Sequence, residues 1–233
     1  MSLTAMYSAL YALFYKDKAR RAFPAALPAH ELRDAEAAEL RAIDPARLEA
    51  VVALHQADLA HQWYAGRVPA TWLALRVALD TDDHGLVASF TGSDAFELRV
   101  NDDADGRALH AFVDALAQAG HLPDAPWLPE LLRYELVLNA QWIGVDTPRI
   151  EEFAWDVPGI RESLLKRSTF PTDEEPWRYS AIFHREGAET LEAQLEHDEA
   201  RVARALLAGD DVSREPPRLV KRCKALLREI PGW

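Results

Sequence analysis

The sequence lacks the features of secreted and membrane-spanning proteins. Its single cysteine, Cys223, excludes an internal disulfide, which fits the reducing cytoplasm. The first apolar stretch has no basic residue before it and ends at Tyr15. It is therefore too short to cross a bilayer, and it does not resemble a signal peptide. These absences predict a soluble cytoplasmic protein.

Common catalytic motifs are also missing. The chain has no GxSxG, GK[ST], GxGxxG or HExxH motif and no CxxC pair. The best metal-like spacing joins His55, Asp58 and His61, which share one broad face of a predicted helix. The polar face of an amphipathic helix explains this spacing, and a metal-dependent enzyme is the alternative. We therefore expect that the chain by itself is not catalytic and that it binds no cofactor.

The charge balance argues against nucleic acid as the main partner. The net charge is −12 at pH 7, whereas nucleic-acid affinity depends on neutralising phosphates. The charge is uneven, because residues 1–148 carry 12 basic and 21 acidic side chains and residues 149–233 carry 14 and 17. The densest basic run lies in a predicted last helix, Pro217–Glu229. It is read as a solvated face, with nucleic acid or an acidic peptide as alternative ligands.

Apolar residues before residue 148 recur at helical spacing. This periodicity predicts helices over Leu3–Phe23, His30–Ile43, Pro45–Gly66, Val68–Leu79, Asp94–Val100, Arg107–Gly120 and Trp127–Trp142. After residue 148 the period changes to two, which predicts half-buried strands. The predicted strands are Arg149–Val157, Arg178–His184 and Glu189–Glu196, followed by a helix over His197–Leu207 that ends at Gly209.

The predicted fold class is α+β. An all-helical region over residues 1–147 is followed by a small winged-helix-like module over residues 148–233, with a three-stranded antiparallel sheet. Such a sheet leaves edges open, and an open edge can accept a peptide as an additional strand.

The third strand and the basic residues that follow it are therefore the predicted peptide-binding site. The candidates are Thr190, Leu191, Glu192, Ala193, Gln194, Leu195, Arg214, Arg218, Lys221 and Arg222. Tryptophan is enriched at protein interfaces, and a histidine beside a strand edge can contact a partner's site. The candidate partner-interface residues are Trp177, His184 and Trp233.

Short motifs over most of the chain resemble one known family. They are Leu13–Asp17, Leu40–Leu48, Arg67–Thr71, Leu128–Glu135, Pro148–Val157, Trp177–Arg185 and Leu195–Gly209. These segments resemble the accessory partner proteins of multinuclear non-haem iron-dependent oxidative enzymes. The basic tail Pro216–Trp233 is not matched to that pattern.

The resemblance implies a subunit that binds a ribosomally made precursor peptide through its leader and presents it to the iron enzyme. Similar proteins serve natural-product pathways such as 3-thiaglutamate biosynthesis. The resemblance assigns the iron and the chemistry to the partner, so a heterodimer with that enzyme is expected. No nucleic acid and no membrane are expected as partners. The alternative from another class is a winged-helix regulator that binds DNA.

Overall fold

A computed structural model describes residues 3–27, 32–97, 106–122, 125–139, 148–167, 171, 175–186 and 189–230. Helices and one three-stranded antiparallel sheet make up the regular structure of these residues, which confirms the mixed helix and sheet composition. By contacts, the chain divides into two compact units. The first unit comprises Met1–Gly66 and Leu79–His121, and the second comprises Arg67–Ala78 and Leu122–Trp233.

The helices are numbered in chain order. They are α1 (Leu3–Tyr15), α2 (Asp17–Ala22), α3 (Asp34–Arg41), α4 (Pro45–Ala60), α5 (Pro69–Ala78), α6 (Asp83–Thr91), α7 (Asp94–Glu97), α8 (Arg107–Gln118), α9 (Leu128–Leu138), α10 (Val157–Arg167), α11 (His197–Ala208) and α12 (Pro217–Arg228). A π-helical turn, His61–Ala65, extends α4. The strands are β1 (Arg149–Phe153), β2 (Tyr179–Glu186) and β3 (Glu189–Leu195).

Among the described residues of the first unit, the regular structure is helical, and the predicted helices Pro45–Gly66 and Arg107–Gly120 are confirmed within a few residues. Residues 30–31 and 98–100 of two other predicted helices lie outside the described residues. Asp44 accepts a hydrogen bond from the N–H of Ala46 (3.0 Å) and Pro45 is the first residue of α4, so this helix begins with a side-chain cap and a proline in its first turn. An aromatic cluster forms part of the core, with Tyr64, Phe96 and Phe112 packed edge-on around Phe90.

The prediction of a single helix over Leu3–Phe23 is wrong, because the helix is interrupted at Lys16, between α1 and α2. Lys16 has an extended backbone conformation. The guanidinium of Arg20 folds back and donates to the carbonyl oxygen of Phe14 (2.9 Å), and Gln56 donates to the same oxygen (3.1 Å). Side-chain donors therefore bind the carbonyl oxygen of Phe14 near the end of α1, where an uninterrupted helix would have supplied a backbone N–H.

The second unit contains the sheet, whose strands lie in the order β1–β2–β3. In the register, Phe153 pairs with Tyr179 and Ser180 pairs with Leu195. One face packs against α9 and α10 through Tyr134, Val137, Phe153, Val157, Tyr179 and Phe183. The opposite face packs against α11 and α12 through Ile182, Leu195, Ala200, Leu227 and Ile230. The sheet is thus covered by helices on both faces.

The first predicted strand, Arg149–Val157, ends four residues early, and the helix that follows it was not predicted. Asp156 accepts a hydrogen bond from the N–H of Gly159 (3.2 Å), which caps the start of α10. Val157, Ile160 and Leu164 are buried at helical spacing. Because Val157 also continues the alternation of β1, the strand pattern runs past the point where the helix begins.

The division into compact units differs from the sequence-based boundary after residue 147. Helices α5 and α9 precede that boundary, yet they pack with each other and with α10 in the unit that contains the sheet. Glu135 of α9 joins them. Its carboxylate accepts from the N–H groups of Ala70 (3.0 Å) and Thr71 (2.8 Å) at the start of α5 and from Arg161 of α10 (3.0 Å).

Glu135 is completely buried, so its carboxylate needs the hydrogen bonds that join α9 to α5 and α10. Burial raises the pKa of this carboxyl, whereas the two N–H donors and the guanidinium of Arg161 act to lower the pKa. Removing the carboxylate leaves the N–H groups of Ala70 and Thr71 without an acceptor and Arg161 without a counterion. A buried donor that loses its partner is destabilising.

We predict that Glu135→Ala lowers the free energy of unfolding by about 3 kcal/mol, because breaking a buried ion pair costs this order of magnitude. Urea unfolding followed by circular dichroism measures the change. The matched control is Glu162→Ala on α10, whose carboxylate forms an exposed ion pair with Lys166. The control is expected to unfold like the wild type, and equal losses in both variants would contradict a structural role for Glu135.

Candidate functional site

The outer edge of β3 is open over the described residues. Strand β3 pairs with β2 on one side, and no backbone hydrogen bond of the described chain reaches residues 189–195 from the other side. The outer edge of β1 differs, because α9 covers part of it. Arg133 donates to the carbonyl oxygen of Glu152 (2.6 Å), and Glu130 accepts from the N–H of Ala154 (2.8 Å). Of the two edges, β3 is therefore the one available for strand addition.

The side chains of β3 alternate between the two faces of the sheet, as predicted. Ala193 and Leu195 belong to the apolar layer beneath α11 and α12, and Leu191 shares their side by alternation. Thr190, Glu192 and Gln194 lie on the side of α9. A strand added along β3 would meet an apolar row on one face and a polar row on the other.

Glu192 lies between two tyrosines on the α9 side of the sheet. Tyr134 donates its hydroxyl to one carboxylate oxygen (2.6 Å), and Tyr179 donates its hydroxyl to the other. Burial and the adjacent carboxylate raise the pKa of both phenols above the ordinary value. The side chain of Glu192 is thus engaged within the fold, and only its backbone remains for peptide pairing.

A groove of about 540 Å³ lies at the C-terminal end of β3. It is lined by Trp177, Arg178, Ser180, Gln194, Leu195, Glu196, His197, Glu199 and Arg222. Arg222 of α12 is fixed there by an ion pair between its Nε and the carboxylate of buried Glu199 (2.6 Å). We call this the β3 groove.

The predicted basic residues do not all face the β3 groove. Arg222 lines it, but Lys221 lines a second groove of about 580 Å³, together with Lys224 and Arg228. Arg214 and Arg218 are exposed. Adjacent residues of a helix point about 100° apart, which explains why Lys221 and Arg222 contribute to different surfaces.

The predicted partner-interface residues have different environments. Trp177 is 64% exposed beside the β3 groove, which leaves its indole accessible. His184 is half-buried, and its Nδ1 is shielded from solvent without a hydrogen-bond partner among the described residues. Trp233 lies outside the described residues. The interface role of all three remains a prediction.

The metal-like spacing in α4 has other contacts. The His55 ring packs edge-on against Phe14 (5.5 Å between centroids), and Asp58 accepts a hydrogen bond from Gln62 (3.0 Å). In the part of the chain that the structure describes, no three His, Cys, Asp or Glu side chains are placed to hold a metal ion. In the same part, no helix is both long and apolar enough to cross a membrane.

Sequence patterns missed several residues of this region. The helical pattern of residues 127–142 does not show that Glu135 is buried or that Glu130 accepts a hydrogen bond from Ala154, just past β1. No local sequence signal marks Arg178 or Glu199, because their place in the β3 groove depends on tertiary contacts. No protein-family model matches the chain, and no curated protein matches it significantly.

We predict that Glu192→Gln lowers the ionisation pH of Tyr134 and Tyr179, because it removes the adjacent negative charge. The folded-state pKa of each phenol lies above the unfolded value of about 10. The stability that the pair contributes is therefore complete below that pH and is lost as the pH rises through the folded-state pKa. Ultraviolet titration of the six tyrosines measures the shift.

The matched control for this titration is Gln194→Glu, which adds a carboxylate two residues along the same face of β3. It is expected to leave the high pKa values of Tyr134 and Tyr179 unchanged, because it retains Glu192. Identical titration curves for the wild type and Glu192→Gln would refute the assigned contacts.

Proposed function

We propose that this chain is a non-catalytic partner subunit of an iron-dependent oxidative enzyme. It binds the leader of a ribosomally made precursor peptide as an additional strand along β3 and presents the peptide to that enzyme. The iron and the chemistry belong to the partner, this chain binds no cofactor itself, and the two proteins act as a heterodimer in the cytoplasm. Within this proposal, the sheet with its C-terminal helices serves as a winged-helix-like recognition module.

The open outer edge of β3 is the observation that carries the proposal. The N–H and C=O groups along an edge strand are a template for a further strand, which gains affinity from main-chain hydrogen bonds. Side chains of α9 occupy part of the edge of β1, so the two edges are not equivalent. The alternating rows of β3 add side-chain selectivity to the backbone ladder.

The helical region over residues 1–147 is the proposed docking surface for the enzyme. Tyr7 of α1 is 65% exposed, and a groove of about 620 Å³ runs beside it and Tyr11. Leu54 of α4 is 73% exposed. Exposed aromatic and aliphatic side chains are typical of protein interfaces, where they become buried on association.

A DNA-binding regulator is the second candidate, and the composition of α12 favours it. That helix has five basic residues and no acidic residue. The net charge of −12 opposes it. DNA binding that falls steeply with salt concentration would support this candidate, and no binding at low salt would exclude it.

Coexpression of this chain with an iron enzyme and a precursor peptide encoded beside it tests the proposed function most simply. An iron-enzyme gene and a short peptide gene are expected beside the gene of this chain. The chain is expected to co-purify with that enzyme and to bind the leader of that peptide in titrations. A chain that binds neither product would refute the proposal.

We predict that a proline in β3 weakens peptide binding without unfolding the sheet, provided that it replaces a residue whose N–H faces outward. Successive N–H groups of a strand point to opposite edges, so one of Ala193→Pro and Gln194→Pro retains the pairing with β2. Circular dichroism identifies the folded variant. Its affinity for the leader peptide is expected to fall tenfold or more, about 1.4 kcal/mol, by titration calorimetry.

Gln194→Ala is the control for this experiment because it retains the backbone N–H. Its loss of affinity is expected to be smaller than that of the folded proline variant, because only the proline removes a main-chain hydrogen bond to the peptide. A folded proline variant that binds the peptide normally would place the peptide elsewhere on the chain.

A further inference from the structure

The β3 groove begins where the outer edge of β3 ends. Gln194 and Leu195, the last two residues of the strand, line it. A peptide paired along β3 and extended beyond Leu195 would therefore pass into this groove. Its volume, about 540 Å³, lies within the range of pockets that enclose small ligands, about 300–1,000 Å³.

The carboxylates of the groove are already engaged by the fold. Glu199 accepts from the N–H of Glu196 (3.0 Å) and pairs with Arg222 (2.6 Å). The side chain of Glu196 in turn accepts from the backbone N–H of Glu199, which completes a capping box at the start of α11. These acidic groups therefore offer few acceptor sites to a ligand.

The guanidinium groups retain donors. Arg178 is exposed, and its side chain forms no hydrogen bond or ion pair within the part of the chain that the structure describes. Arg222 pairs with Glu199 through its Nε, which leaves the two terminal nitrogens of the guanidinium as donors for a ligand. A guanidinium can bind a carboxylate through two parallel hydrogen bonds, and Arg222 is held in place by a buried acid.

An apolar wall completes the groove. Trp177, which is 64% exposed, and the buried aliphatic side chain of Leu195 both line the groove. An exposed tryptophan beside unpaired cationic donors suits a ligand that combines a carboxylate with an apolar group.

We propose that the β3 groove binds an acidic residue of the peptide, positioned immediately beyond the segment that pairs with β3. This inference rests on the proposed function and specifies its ligand. The paired segment carries apolar side chains at every second position, facing the row of Leu191, Ala193 and Leu195. The carboxylate then lies between Arg178 and Arg222, and the neighbouring apolar side chain contacts Trp177.

The test begins with a display library of random peptides selected on the immobilised full-length chain. The sequences selected by the wild type are expected to alternate apolar residues and to carry Asp or Glu at one end of that segment. The same selection on Arg178→Ala, which removes an exposed side chain, is expected to retain the alternation and to lose the acidic preference.

A double-mutant cycle on one selected peptide provides the second readout. Arg178→Ala in the chain and Asp→Asn in the peptide are each expected to weaken binding about tenfold, because each removes a hydrogen bond between charged groups. Together they are expected to weaken it little further, since both remove the same contact. Lys224→Ala, on the second groove of α12, is the matched control and is expected to bind like the wild type.

The outcomes separate the two proposals. Selected peptides that depend on the open edge of β3, yet show no acidic preference, would overturn this inference and leave the proposed function intact. An equal loss of affinity in Arg178→Ala and Lys224→Ala would also overturn it, because the effect would then reflect overall charge. A selection that yields no peptide dependent on β3 would overturn the proposed function itself.

Discussion

The N–H and C=O groups at the edge of a sheet must find partners, and in this chain the two edges find them differently. At β1 the partners include side chains of α9, since Arg133 bonds Glu152 and Glu130 bonds Ala154. Along β3 the described chain supplies no backbone partner on the outer side. Water can satisfy such groups, and so can another strand. The function proposed for the chain depends on this difference between the two edges.

Helix α9 organises the sheet unit around that edge. Three consecutive residues of α9 contact three other elements. Arg133 reaches β1, Tyr134 reaches Glu192 of β3, and Glu135 caps α5. The segments Arg67–Thr71 and Leu128–Glu135 are thereby joined by direct hydrogen bonds. The same helix that covers part of the edge of β1 also contacts β3 through the side chain of Tyr134, which leaves the backbone of β3 accessible.

Local sequence patterns predicted most of the regular structure, because periodicity and caps act over a few residues. The strands β2 and β3, the start of α4 at Pro45 and the helix end at Gly209, with its left-handed backbone, follow such signals. Position within the tertiary fold could not be predicted in the same way. The burial of Glu135 and the separation of Lys221 from Arg222 depend on how the helices pack. The alternation of β1 concealed the start of α10, because Val157 satisfies both periods.

Amide hydrogen exchange along β3, measured with and without the leader of the precursor peptide encoded beside this chain, tests the central claim most directly. A peptide added as a strand would protect the outward-facing amides of residues 189–195, at every second position, while the amides already paired with β2 change little. Saturating peptide that leaves the outward-facing amides exchanging at their free rate, with protection elsewhere in the chain, would contradict strand addition at β3.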